Sequence, residues 1–364
     1  MKFVDLLLYS EEEIGDFERL YTKHKSNLGY LENLPDNFNV LVIQHADFAA
    51  EVKRGRVSYR IVKAKNDKWA LPLRLFRQIK SDNPDVILVH SMIFAWQIFF
   101  LGLFKDPKTK ILVQNHAEKP GGRLRQLLEK LAARYIDGFL FVNKMQANPW
   151  KRLGIITDEK KVFEVMEGST YFEPSKNGER PWGPDFLWVG RLDKNKDPLT
   201  ILSAFLTYSN IEKKARLKMI FNAGNLLSDV HEFIKNNKLD DCVQLQENIP
   251  HHLMQEHYFA ADYFILGSHD EGSGYALCEA MACGCVPIVT DIPSFNRMVS
   301  NGKEGYLFPK GDDRSLLQIL KGLNVNSHLT MRKNTLEKFK QELSFAAIAR
   351  KIVSIAENVH DSGR

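Results

Sequence analysis

Short continuous runs of valine, isoleucine and leucine, separated by helical stretches, constrain this 364-residue chain more than any other feature. In the first half, strands are expected at 3–9, 40–44, 59–63, 86–90, 110–114, 138–142 and 162–166. Helices are expected between several of them, notably at 73–79, 93–104 and 123–136. Strands that are apolar on both sides must be covered on both sides, which implies a parallel sheet with helices on each face. The second half repeats the alternation, with strands expected at 186–189 and within 217–225, 242–250, 260–272 and 304–312. The fold class expected is α/β, two Rossmann-like domains facing across a cleft. The clearest break is SKNGERPWGP (175–184), rich in proline, glycine and charge, which suits a linker. It divides the chain into domains 1–175 and 176–345. A last helix near 345–358 carries apolar residues at a helical period; as segment 346–364 it either caps the second domain or crosses back onto the first.

Ligands in such sheets bind beyond the carboxyl ends of strands, and the stretch DEGSGYALCEAMACGCVPIV (270–289) is built for that place. It reads as a glycine turn, a short helix closed at Gly284 and a buried strand. Glycines before a helix let backbone N–H groups approach a ligand, and a helix N-terminus attracts anions. Glu271 and Glu279 lie eight positions apart. Fully helical spacing would separate them by about 12 Å along the axis, beyond the roughly 5–9.5 Å of a glycosidase acid–base pair. Separate roles are the simpler reading. A lone pair of this spacing is far more often a surface feature, so the context decides. That context includes FLWVGRLDKNKDP (186–198), a strand ending at Gly190 and followed by Arg191 and Lys196. Two cations fixed after a strand suit a diphosphate, the arginine as a forked donor and the lysine as a point charge.

Taken together, these stretches resemble the E-x7-E and G-R-L-x-x-x-K signatures of retaining, GT-B-fold glycosyltransferases of the family 4 type (glycosyl transferases group 1). The resemblance covers the last half well and the first half in outline. It implies transfer of a sugar from a nucleotide-diphosphate sugar, UDP ahead of GDP, to a glycan or lipid-linked acceptor, in bacterial surface glycan or glycolipid synthesis, with no metal and no further cofactor. By resemblance, Arg191 and Lys196 neutralise the leaving diphosphate and Glu271 orients the sugar. Glu279 accepts from the ribose, while Gly190, Gly272, Ser273, Gly274, Tyr275, Ala276 and Leu277 cradle phosphate and sugar. Asn248 and Ile249 lie by the base. His116, in ILVQNHAEKPGG (111–122), resembles the histidine that the family turns toward the donor; His90 is a weaker candidate, and Lys119, Arg123 and Arg125 suit an acceptor cleft or plain solvated charge. Two departures fall on the acceptor side. The first strand lacks the family's Gly-Gly turn, and Glu167 stands where relatives have asparagine. In the second half, Glu247, Gly267 and Ser273 replace the family's usual glycine, proline and aromatic residue.

Rival readings are an epimerase or sugar phosphorylase on the same fold, or a sugar-nucleotide-binding protein without turnover. The chain has neither G-x-x-x-x-G-K-[ST] nor G-x-G-x-x-G, which argues against kinase and dehydrogenase chemistry. Residues 1–175 hold 27 Lys/Arg against 22 Asp/Glu, a net +5 that accounts for the whole chain's excess. This suits peripheral contact with an anionic membrane or a phosphorylated acceptor, although solvated faces are the plainer account, and it is too small to indicate nucleic acid. Cys242, Cys278, Cys283 and Cys285 form no C-x-x-C pair and read as buried thiols, and His251-His252 reads as a surface loop. The apolar run 92–104 is too short for a membrane span and reads as a buried helix. No signal peptide opens the sequence, so a cytoplasmic protein, peripheral at the inner face of the membrane, is expected.

Overall fold

The computed structural model describes residues 1–63, 72–172 and 183–362. By contact the chain divides into two compact units, Met1–Ser169 with Phe345–Arg364, and Thr170–Ser344. The division falls ahead of the expected 175/176 boundary. Tyr171 and Phe172 already pack on rings of the second unit, with Phe172 5.1 Å from His251 and 5.9 Å from Tyr258 between centroids. The expected linker lies, up to residue 182, outside the described residues.

In the first unit, β1 (Lys2–Ser10), β2 (Asn39–Ala46), β3 (Ala50–Arg54), β4 (Val57–Lys63), β5 (Val86–His90), β6 (Lys110–Gln114), β7 (Gly138–Phe141) and β8 (Val162–Glu164) form one sheet. Their order is β3-β4-β2-β1-β5-β6-β7-β8. All pairings are parallel except β3 with β4. β3 was not expected. Its sequence, AEVKR, has too few apolar residues to stand out, and it pairs only because Gly55, at φ +56°, turns the chain back into β4. β5 reads VILVH and is buried throughout. The helix Ala95–Phe104 covers the sheet with Ala95, Gln97, Ile98 and Leu101. The expectation of an all-round buried helix from 92 to 104 is corrected here. Met92–Phe94 is a separate 3-10 turn, and Leu103 on the outer face is 53% exposed. The helix Phe345–Asp361 belongs to this unit; its Phe345 ring lies so close to Gly29 that a Cβ there would come within 2.5 Å.

In the second unit, β9 (Asp185–Gly190), β10 (Arg216–Phe221), β11 (Val243–Glu247), β12 (Tyr263–Leu266), β13 (Val286–Thr290) and β14 (Tyr306–Phe308) form a fully parallel sheet. The order is β11-β10-β9-β12-β13-β14. Counted within each unit, both sheets run outward in two directions from the first strand, the doubly wound Rossmann order. The strand order reverses between β1 and β5 and again between β9 and β12. At such a point successive crossovers leave on opposite faces and open a crevice beyond the strand ends. Trp188, Phe186, Phe264 and Tyr263 are each at most 2% exposed and fill the centre of the second unit. Each such side chain contributes about 1.5–3 kcal/mol by leaving water.

Candidate active site

The loops after β9 and β12 meet at the switch point of the second sheet. Asn195 stitches them together: its side-chain amide donates to Asp270 O at 3.0 Å, its Oδ1 accepts from Asp270 N–H at 3.1 Å, and its carbonyl accepts from His269 N–H at 2.8 Å. The stitching brings Lys196 Nζ onto Glu271 Oε1 as an ion pair, with Ser268 donating to the same oxygen at 2.7 Å. The two charged side chains are 16% and 13% exposed. Gly190 leaves room for the lysine stem, since a Cβ there would sit 3.4 Å from Lys196 Cγ and Cδ and 3.3 Å from Trp188.

Arg191 is not part of that pair. Its Nε lies 3.0 Å from Asp193 Oδ2 and its side chain is 61% exposed. The other oxygen of Asp193 accepts the Lys196 N–H at 2.9 Å. Asp193 thus holds both cations' segments without joining the cations.

The loop after β12 leads into the helix Tyr275–Ala282, whose N-cap is Gly274 at φ +67° with no side-chain cap. A Cβ at Gly274 would approach Phe295 at 2.9 Å and Met298 at 3.0 Å, so glycine is required for space as well as for backbone conformation. Ser273 is buried, Gly272, Tyr275 and Ala276 are partly exposed, and Leu277 is 0% exposed. The Leu277 side chain therefore packs into the core and cannot reach a ligand. The helix ends at Ala282 and Gly284 follows at φ +81°, as the glycine pattern implies.

Glu279 projects from the second turn of this helix and is already held. Tyr258 donates to its Oε2 at 2.9 Å, and His251 Nε2 lies 2.5 Å from its Oε1. His251 in turn meets the Tyr171 hydroxyl at 2.9 Å through Nδ1. The hydrogen bond from Glu279 raises the His251 pKa above its ordinary value, against the opposing effect of burial. His251 and His252 are exposed, as the reading of a surface loop expected, but they open the 3-10 turn His251–Leu253, with one residue between it and Ile249, and His251 is paired with Glu279. Asn248 is exposed at φ +54°, its N–H donating to Phe221 O at 2.8 Å. No other signal near His251 marked it; its partner Glu279 lies 28 residues away.

The first unit has a cluster of its own at its switch point. His116 Nε2 lies 2.9 Å from His90 Nδ1, and His116 Nδ1 lies 2.9 Å from Glu167 Oε2. His90 Nε2 lies 2.9 Å from Oδ1 of Asp5, whose other oxygen accepts from Tyr30 at 2.7 Å. Burial would lower the His116 pKa, but Glu167, with Glu118 and Asp5 behind it, outweighs burial and leaves it raised. Neither ring nitrogen of His116 points away from the protein's own groups. Asp5, buried at 0% exposure in the middle of an apolar strand, was the missed signal. A carboxylate with no route to water must have a partner. Of the other basic candidates, Arg125 is drawn back onto buried Glu129 at 2.8 Å, while Arg123 is exposed.

A family model described as "Glycosyl transferases group 1" matches residues 171–339, essentially the second unit. The GDP-mannose:cellobiosyl-diphosphopolyprenol alpha-mannosyltransferase of Xanthomonas campestris is 31% identical over 322 residues, covering 84% of this chain and 83% of that one. The enzyme of the same name from Xanthomonas oryzae pv. oryzae (strain PXO99A) is 30% identical over 126 residues, 34% of this chain and 33% of its own. Among solved structures, a glycosyltransferase from Rickettsia africae ESF-5 superposes with a TM-score of 0.73 at 15% identity over 98% of each chain, a likeness of fold. With a relative aligned over most of both chains and the group's model lying across the unit that carries Lys196, Glu271 and Glu279, the chain belongs to the glycosyl transferases group 1 and is a glycosyltransferase of the GT-B fold.

Proposed function

We propose that the chain is a retaining glycosyltransferase that moves a sugar from a nucleotide-diphosphate sugar to a hydroxyl of a glycan or lipid-linked acceptor, in bacterial surface glycan or glycolipid synthesis. The observation that carries this reading is the Lys196–Glu271 pair set at the switch point, in front of a glycine-led helix without a side-chain cap. Lys196 neutralises charge on the departing diphosphate, and the backbone N–H groups at the start of the helix take phosphate oxygens. Glu271 fixes the ammonium and meets the sugar hydroxyls. Arg191, exposed and paired with Asp193 among the described residues, closes on the diphosphate when it arrives. A carboxylate offers about four acceptor sites. Glu279 has one per oxygen occupied, leaving capacity for two ribose hydroxyls. In the transfer the bond from the sugar's anomeric carbon to the phosphate oxygen breaks. The bond to the acceptor oxygen forms on the same face, and the acceptor's proton passes to a phosphate oxygen.

UDP is the nucleotide proposed from the sequence. GDP is the second reading, favoured by the Xanthomonas campestris relative, which is named for GDP-mannose. Calorimetry of the full chain against UDP, GDP and ADP separates them, and binding of none would remove the donor assignment. Arg191→Ala is expected to weaken the nucleotide that binds about tenfold, about 1.4 kcal/mol. Glu279→Ala is expected to weaken it too, with the loss vanishing for the 2′,3′-dideoxy nucleotide.

Contact with an anionic membrane is part of the same proposal. The helix Arg123–Ala133 exposes Leu124 at 76% and Leu127 at 55% beside Arg123 and Lys130. Apolar side chains flanked by cations on one surface helix suit an interface with anionic lipid. The full chain is expected to sediment with phosphatidylglycerol vesicles and not with phosphatidylcholine vesicles. Leu124→Glu with Leu127→Glu should abolish the difference, and equal sedimentation with both lipids would refute the contact.

A further inference from the structure

Asp5, His90, His116 and Glu167 form three links in a row, and the links do not balance with neutral rings. Each link needs one hydrogen. A neutral imidazole carries a single N–H. With both carboxylates ionised, the outer links take the Nε2 hydrogen of His90 and the Nδ1 hydrogen of His116. The inner link then sets two lone pairs 2.9 Å apart. Two buried acceptors facing each other cost free energy that one further hydrogen removes.

The ring geometry agrees with a hydrogen at that place. The His90 and His116 centroids are 5.1 Å apart with planes within 11°. Since the inner nitrogens are 2.9 Å apart, only the two ring radii remain to make up the centroid separation. The rings therefore meet edge to edge in nearly one plane, as an N–H···N bond requires, and do not stack face to face.

The surroundings favour a cation. Asp5 is fully buried and Glu167 is 9% exposed, so a neutral ring pair would leave two carboxylates in low dielectric without countercharge. Glu118 adds a third, its Oε2 accepting the backbone N–H of His116 at 2.6 Å and its Oε1 the backbone N–H of Met92 at 2.8 Å. Among the described residues, the other titratable groups nearby are Tyr30, which donates to Asp5, Tyr9 on β1, Tyr59 on β4, and His24 on the helix Phe17–Leu28, itself paired with Glu11 at 3.0 Å. Among the described residues, no lysine or arginine forms an ion pair with this row.

We propose that the row Asp5–His90–His116–Glu167 holds one proton more than neutral rings and ionised carboxylates supply, shared across the His90–His116 link, and that Asp5, His90 and Glu167 are positioning residues that fix the ring and tautomer of His116. Sliding this proton to Glu167 reverses the outer link without breaking any of the three. Both nitrogens of His116 are engaged within the protein, so a bound sugar meets the ring's carbon edge or face. The proposal rests on the glycosyl-transfer reading only for the use of His116. The row itself is a property of the ligand-free chain, and its test is separate from nucleotide calorimetry.

The test is nitrogen NMR of the full chain labelled with 15N-histidine, ligand-free and near neutral pH. One proton is expected between the inner nitrogens, seen as scalar coupling between His90 Nδ1 and His116 Nε2. Two unprotonated inner nitrogens, or two protonated ones, would overturn the proposal. Asp5→Asn keeps an acceptor oxygen and removes the charge; the inner proton should then be lost at a pH lower by about one unit or more. Glu167→Gln should shift the loss in the same direction from the other end and serves if Asp5→Asn does not fold. An unchanged midpoint in the variants that fold would equally overturn the proposal.

Discussion

Lys196→Ala is expected to lower kcat/KM by about 10²–10³, or about 2.7–4 kcal/mol, the loss typical of removing one preorganised electrostatic group from an active site. Two effects add in the same direction. On the proposed reading the diphosphate loses its nearest fixed cation, and Glu271, at 13% exposure, keeps only the Ser268 hydroxyl of the two partners recorded on it. An unpaired carboxylate there repels the phosphates. The loss should therefore be shared: Lys196→Ala with Glu271→Ala should be little worse than Lys196→Ala alone, because the two side chains act as a unit. Lys196→Arg should not rescue activity, since the stem runs in the narrow space that Gly190 leaves beside Trp188. The measurement is steady-state release of nucleoside diphosphate from the donor that calorimetry selects. A loss below tenfold would remove Lys196 from the transfer step.

The largest stability effect is expected at a residue that touches no ligand. Gly224 sits at φ +151°, and a Cβ there would lie 2.2 Å from Leu192 O and 2.5 Å from its carbonyl carbon. Those are backbone atoms and have nowhere to rotate. Leu192 is tied to the same turn on both sides, its N–H donating to Ala223 O at 2.8 Å and its carbonyl accepting from Leu226 N–H at 2.9 Å. Gly224→Ala must therefore displace the segment that carries Arg191 and Lys196. A destabilisation of about 3 kcal/mol or more is expected, a drop in thermal midpoint of about 6–12 °C for a unit of this size. Gly302→Ala is the comparison. It also has positive φ, +80°, but nothing lies within 4 Å of its Cβ, so only the backbone preference of about 1 kcal/mol is lost. Equal midpoints for the two variants would show that the turn yields and does not clash.

What could be read from the sequence was local in the chain. Glu271, Gly274 and Glu279 lie within one short stretch and Gly190 and Lys196 within another, and each stretch shows its local form: a glycine turn into a helix, and a strand ending at a glycine before a cation. The strands of both sheets were legible for the same reason, since an apolar run such as VILVH has one way to avoid water. The remainder depended on contacts that no window spans. His90 meets Asp5 across 85 positions, His251 meets Glu279 across 28, and Asn195 meets Asp270 across 75. Only the parallel crossovers bring them together. That Lys196 pairs with Glu271 in the ligand-free chain was likewise out of reach, since 75 positions separate the two. β3 was missed because pairing with β4, not its own composition, makes it a strand.

The helix Phe345–Asp361 belongs to the first unit although the whole second unit precedes it in the chain. During synthesis, the second unit has all its residues before this helix exists. Until then, the surface beside Gly29 that the Phe345 ring occupies stays open to water. The second unit is thus complete in sequence while the first still waits for its closing piece. A release from the ribosome before Phe345 would yield a chain able to finish only one of its two units.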